Sequence, residues 1–376
     1  MLLRKNKPSR ITKRELYWSK VFLYLLLFTP YYAFCEKNEP IKVVVVGDTG
    51  IGERAFYHGF RAVAEAMDKE NPDLIIHLGD FVYQPEIFPK TCETQYKNDI
   101  FQYLVRPFPL HLFVLGDNDL TPTKSKPKAS GCWNYIKPLA APFDKVNDLS
   151  LAIPGPAEGT KTIDGVLFAI INIYNKSDPT PWLKPRVEKA RLEGKWIIIC
   201  IHEPPVTTAW FIEKRQTDLR IINQMKPDFV FSGNQHSYER FHPMGIPDIN
   251  NIIPTVKTSN SQYKRGTGSI HIVTGGGGST LKPFADLQGN KRRTAPKTLF
   301  NALAVRAIMN HYVVLEISDE KIFGRTEIVC PEMKNISIGK TDPRWKPNKN
   351  MWSKISLACD RKSSGKETFD RFTLTR

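Results

Sequence analysis

Five apolar segments of the chain each run directly into residues that can hold a metal ion. Asp48 follows IKVVVV, Asp80 follows DLIIHL, Asp117 and Asn118 follow LHLFVL, His202 follows WIIICI, and His236 follows DFVFS. Carboxylate oxygens and imidazoles gathered on rigid strand ends suit Zn, Mn or Fe, and a cation held there lowers the pKa of bound water toward neutrality. A Gly-Asp pair alone is common in turns, and a lone His is more often a packed core residue. Five such ends in succession are hard to obtain by chance, so together they point to one metal-dependent site.

The segments that carry these residues are short, rich in Val and Ile, and closed by polar clusters, which is the pattern of buried strands ending in loops. Between the first two, Phe56, Phe60, Val63, Ala64 and Met67 recur at helical spacing inside Glu53 to Glu70. A βαβ unit and an α/β fold follow. Further strands are predicted from Val166 (VLFAIINIY), Ser269 (SIHIVTG) and Tyr312 (YVVLEIS). In open α/β sheets ligands bind outside the carboxyl edge of the strands, which is where all five ends lie. Leu120 to Pro138 and Gly275 to Pro296 read as long irregular loops, and Leu120 to Pro138 with Pro254 to Gly268 as the loops that set the choice of substrate.

The 376 residues are 41% hydrophobic and 24% charged, ordinary globular composition with length enough for a sizeable core. Arg4, Lys5, Lys7, Arg10, Lys13, Arg14 and Lys20 precede an apolar run from Val21 to Cys35, the order of a secretory leader. The run is broken by Thr29 and Pro30 and is shorter than the roughly 20 residues of a spanning helix. Residues 1–35 are therefore read as a signal peptide cut before Glu36, with a short membrane anchor as the alternative. Export, with no stable membrane association after cleavage, is the expected fate.

The formal net charge is +16, of which about ten charges stay on a cleaved product. No Lys/Arg run is interleaved with aromatics, so no nucleic-acid groove is indicated. Of the six cysteines, Cys35 leaves with the leader and Cys200 sits inside an apolar strand. Export favours disulfides among Cys92, Cys132, Cys330 and Cys359. Four cysteines allow three pairings, of which the local one joins Cys92 to Cys132 and Cys330 to Cys359. Gly275 to Gly278 lack the Lys and Ser/Thr of a P-loop, and no GxSxG elbow is present.

The ordered set GDTG, GDFVY, GDND, ICIHEPP and GNQHSYER resembles the signature of the calcineurin-like metallophosphoesterases from Ile41 to about Ser318. Gly50 stands where other members place a His, and Tyr83 follows Asp80 at the interval of a tyrosine ligand, both of which resemble the purple acid phosphatase branch. The resemblance implies a two-sheet β-sandwich flanked by helices in four layers; the domain is read as 36–330, with the polar, basic residues 331–376 as an extension packed on it. It implies phosphate-ester hydrolysis by a hydroxide bridging two ions.

In that scheme Asp48, Asp80, Tyr83 and His236 make the first site, with ferric iron, and Asp80 bridges. The second site departs from the pattern. His202 is present, but Asp117 stands where Asn is usual and Asn234 where His is usual, which implies a site taking Mn or Mg more readily than Zn. Asn118 falls where the catalytic His is expected, and either Asp117 or Asn118 is the ligand. His242 is the best spare proton donor. His77, His111 and His271 read as packed, and Glu203, Pro204 and Pro205 as a turn fixing His202. The rival reading is a binding or scaffold protein that kept the fold and lost the chemistry.

Overall fold

The computed structural model describes residues 39–376 apart from 52–56, 84–91, 93–98, 122, 125–129, 146–150, 176, 246–259, 280, 283 and 331–366. The predicted leader and Cys359 lie outside the described residues.

The apolar runs are strands because each has to be covered on both faces. In β1 (Ile41–Val46), Val43 and Val45 point into the space between two sheets, while Val44 and Val46 face helix α1 (Tyr57–Asp68), whose Phe60, Val63, Ala64 and Met67 meet them. Alternation with period two thus splits one run of valines between two cores. Strand β2 (Leu74–His77) pairs parallel with β1 and completes the predicted βαβ unit, and β3 (His111–Phe113) continues the sheet.

The second sheet contains β4 (Gly159–Ile163), β5 (Val166–Ile171), β6 (Trp196–Ile201), β7 (Phe229–Ser232), β8 (Tyr238–Phe241), β10 (Ile270–Thr274) and β11 (Leu303–Ala307). Strands β5, β6, β7 and β10 run parallel. Trp196, Ile198 and Cys200 of β6 face the first sheet, whereas Ile197, Ile199 and Ile201 face α2 (Thr180–Leu192) and α3 (Gln216–Gln224). The result is the expected α/β four-layer sandwich of two seven-stranded sheets between helices.

The first sheet has the order β3-β2-β1-β12-β13-β14-β9, where β9 is Gln262–Lys264, β12 Asn310–Ile317, β13 Lys321–Val329 and β14 Glu367–Thr375. The segment expected as an extension packed on the domain therefore ends as an internal strand, paired on both edges, with Phe372 and Leu374 in the inter-sheet core. Asp370 of β14 accepts two hydrogen bonds from Arg240 of β8, at 2.6 and 2.9 Å, and one from the Tyr238 hydroxyl at 2.7 Å. This ion pair crosses the sandwich. Cys92 and Cys132 form a disulfide, Cys330 is disulfide-bonded as well, and Cys200 is free and buried. No helix among the described residues is long and apolar enough to cross a membrane.

Candidate metal centre

Parallel strands from both sheets end at one edge, and the turns there are tight. Asp48, Asp80 and Asn234 adopt left-handed backbone conformations with φ of 59°, 58° and 61°, which Asp and Asn tolerate better than most residues. Gly116 and Gly275 admit no side chain, since a Cβ would lie 2.1 Å from the Asp80 nitrogen in the first case and 2.2 Å from the Gln235 oxygen in the second. Close backbone approach brings the carboxylates together.

Two groups of side chains meet there. The Tyr83 hydroxyl donates to Asp48 Oδ1 at 2.8 Å and lies 2.8 Å from His236 Nε2. On the other side, His202 donates from Nδ1 to the Leu78 carbonyl at 2.6 Å, which fixes the tautomer and leaves the Nε2 lone pair facing inward. That Nε2 is buried, makes no hydrogen bond among the described residues, and faces Asp80 Oδ1 at 3.3 Å and Asp117 Oδ1 at 3.5 Å. Ligand atoms of Asp48, Asp80 and His202 all lie within 4.8 Å of one another. Buried carboxylates around an imidazole lone pair are the donor set of a hard or borderline divalent cation, so the residues fit a metal.

Electrostatics agree. Burial alone would raise the Asp80 carboxyl, but His202 and hydrogen bonds from Asn118 hold it well below the usual range. Burial lowers His202, yet the Asp80, Asp117 and Asp48 carboxylates together push it up, the same negative charge a cation would neutralise.

Asn118 donates from its backbone to Asp80 Oδ1 at 2.8 Å and from its amide to Asp80 Oδ2 at 2.6 Å, whereas Asp117 points at His202. Of the two candidates, Asp117 is thus placed to share a cation with His202. Asn234 gives its backbone N–H to Asp48 Oδ2 at 2.8 Å. His242 is not brought to this edge. Strand β8 starts there, with Tyr238 paired to Thr274, and runs away, so His242 lies roughly 13 Å further along at about 3.3 Å per residue. Its Nδ1 meets the Tyr263 hydroxyl at 3.0 Å.

His77 is packed, stacked on Phe81 with ring centroids 3.6 Å apart, and burial lowers it to about 3. Gly50 is forced, because a Cβ there would stand 2.7 Å from Ser279 Cα and φ is +68°. Three nearby residues carry no sequence signal of their own. Asp119 is fully buried and accepts backbone N–H bonds from Asp80, Phe81, Val82 and Gly116. Tyr174 has its ring centroid 6.3 Å from that of His202. Arg215 pairs with Glu203, the neighbour of His202.

Two uncharacterized proteins from strains of Mycobacterium tuberculosis are 32% identical over 120 residues, 29% of this chain and 22% of each of theirs. The "Probable inactive purple acid phosphatase 1" of Arabidopsis thaliana is 38% identical over 79 residues, 20% of this chain and 12% of that protein. The matched stretch thus spans about a fifth or less of these relatives. Among solved structures, purple acid phosphatase PPD1 from yellow lupin (Lupinus luteus) seeds superposes with a TM-score of 0.57 at 15% identity, covering 89% of this chain and 54% of that one. PhoD superposes with a TM-score of 0.50 at 11% identity, covering 90% and 70%. The profile of the calcineurin-like phosphoesterases matches residues 41–238, more than half of the chain, and the chain belongs to that family.

Proposed function

We propose that this chain is a hydrolase of phosphate esters, acid phosphatase-like, working with two metal ions. The observation that carries the reading is His202, whose tautomer is fixed by Leu78 so that a buried, unbonded Nε2 faces the carboxylates of Asp80 and Asp117. Asp48, Tyr83 and His236 would hold the first ion, with iron favoured by the phenolate. Asp117, His202 and Asn234 would hold the second, with Mn, Mg or Zn. Asp80 would serve both.

When bound, such ions supply Lewis acidity toward phosphoryl oxygens and lower the pKa of water. The chain's own part is to position and to exclude. Asn118 keeps both Asp80 oxygens oriented, and the burial of Asp48, Asp80 and His202 removes competing solvent. Without an imidazole at position 118, the chain offers no strong proton donor to the leaving oxygen from that residue.

The Cys92–Cys132 disulfide supports an oxidising destination, in keeping with cleavage of residues 1–35 and export. The test is metal analysis of the purified chain together with hydrolysis of an aryl phosphate. Two ions per chain, a visible tyrosinate band and metal-dependent release of the aryl alcohol are expected. A chain that binds no transition metal would overturn the reading.

A further inference from the structure

Arg215 precedes α3 and is buried, with its side chain 8% exposed. Its Nε donates to Glu203 Oε2 at 3.0 Å, and its Nη2 lies 2.8 Å from the same oxygen as an ion pair. Its Nη1 is also buried and has no hydrogen-bond partner among the described residues. A buried guanidinium with an unmet donor is costly, and a loop-pinning ion pair alone does not account for it. The planar fork does match a phosphoryl group.

The position is informative too. Glu203 directly follows His202, the residue whose Nε2 faces Asp117 at 3.5 Å. The Tyr174 phenol belongs to a ring whose centroid is 6.3 Å from that of His202. Burial raises it, the charges of Asp117, Glu203 and Asp80 raise it further, and Arg215 partly offsets them. One phenol therefore senses the guanidinium and the cluster's carboxylates together. A monoester carries three non-bridging oxygens and a diester two. Two cations can each take one, and the third needs a separate donor.

We propose that Arg215, braced by Glu203, binds the third non-bridging oxygen of a phosphomonoester at this site, and that the site selects monoesters over diesters. The inference rests on the phosphoesterase reading above. Glu203 holds one edge of the fork in place and leaves the other edge free for the substrate.

The test compares the metal-loaded wild type with Arg215→Ala and Arg215→Lys on an aryl phosphomonoester and on the diester with the same leaving group. Inorganic phosphate affinity is measured by calorimetry, and metal content is checked. In Arg215→Ala, kcat/KM for the monoester and phosphate affinity are both expected to fall about 10- to 100-fold, the scale of a charge-assisted hydrogen bond, while the diester changes far less. Arg215→Lys should recover only part of the loss, because a point charge cannot reproduce the fork. An equal fall on both esters, or unchanged phosphate affinity, overturns the proposal. If the Ala chain does not fold, phosphate affinity is read on Arg215→Lys, where a clear weakening is expected and an unchanged value is again fatal. Failure of the phosphoesterase reading would look different, as a wild type that binds metal and phosphate but hydrolyses neither ester.

Discussion

The carboxylate of Asp119 accepts the backbone N–H of Asp80 at 2.8 Å, so one acidic residue holds the main chain of another. The same carboxylate takes the N–H groups of Phe81 at 3.0 Å, Val82 at 3.3 Å and Gly116 at 3.2 Å. The loops after β2 and β3 are thereby joined at the point where Asp80 turns its side chain toward His202. The conformation of the Asp80 loop depends on a group that touches neither substrate nor the candidate ions.

Replacing Asp119 with Ala leaves these buried donors without their acceptor. The expected loss is about 2–5 kcal/mol of stability, the scale for breaking a buried hydrogen-bond network. Metal affinity should fall with it although every candidate ligand is intact. Chemical unfolding and metal titration read both quantities, and a variant with wild-type stability would show that the carboxylate does not hold the loop.

Asp80→Asn removes the charge that both halves of the cluster share. Hydrolysis is expected to drop to background, with fewer ions retained per chain after dialysis. Unchanged turnover would mean that the chemistry lies elsewhere.

Legibility in the sequence followed the strands. Asp48, Asp80 and His202 stood out because apolar runs leave a polar residue nowhere to go but the strand end, and the structure does bring those ends together. Asp119 did not stand out, since an Asp closing GDND looks like any turn residue until β2 and β3 are known to be neighbours. His242 misled for the opposite reason. It is six residues from His236 in sequence, but β8 carries it away from the edge. Strand β14 was hidden because Phe372 and Leu374 alternate with polar residues at the end of a basic stretch, and both of its partners are remote in sequence.

Gly50→His would restore the residue expected in other branches of the family, and it should fail. The new Cβ meets Ser279 at 2.7 Å on a backbone with φ of +68°. Overpacking of this kind costs about 1–3 kcal/mol. Thermal unfolding of Gly50→His and Gly50→Ala checks this, and both should be less stable than the parent chain.

Acid should destabilise the fold partly through His271. Burial lowers it from 6.5 to about 3, and its Nε2 is committed to Asn223 at 2.8 Å. With the folded pKa below the unfolded one, its contribution is intact above pH 6.5 and is lost as pH falls toward 3. By pH 5 the loss is about 2 kcal/mol. The decline in unfolding free energy between pH 7.5 and 5 should therefore be smaller by that amount in His271→Gln. Equal declines would show that the ring is not held neutral.

Asn118 and Asn234 should shape which esters react. Asn118 spends its amide on Asp80, so the leaving oxygen gains little general-acid help from it, and poor leaving groups should lose up to roughly 10²–10⁴-fold. Activated aryl phosphates should suffer least. Asn234 is a weaker transition-metal donor than imidazole, so activity should rise with added Mn or Mg and fall on mild chelation. The left-handed backbone at Asn234 is one that His also tolerates, which makes Asn234→His a fair probe of the second ion. Aryl and alkyl phosphates are compared on both chains, with and without metal. The substitution should tighten metal retention and leave the aryl preference in place, because that preference comes from position 118. If alkyl esters react as fast as aryl ones and neither added metal nor the histidine changes anything, another residue supplies the proton and the second ion is not held by this loop.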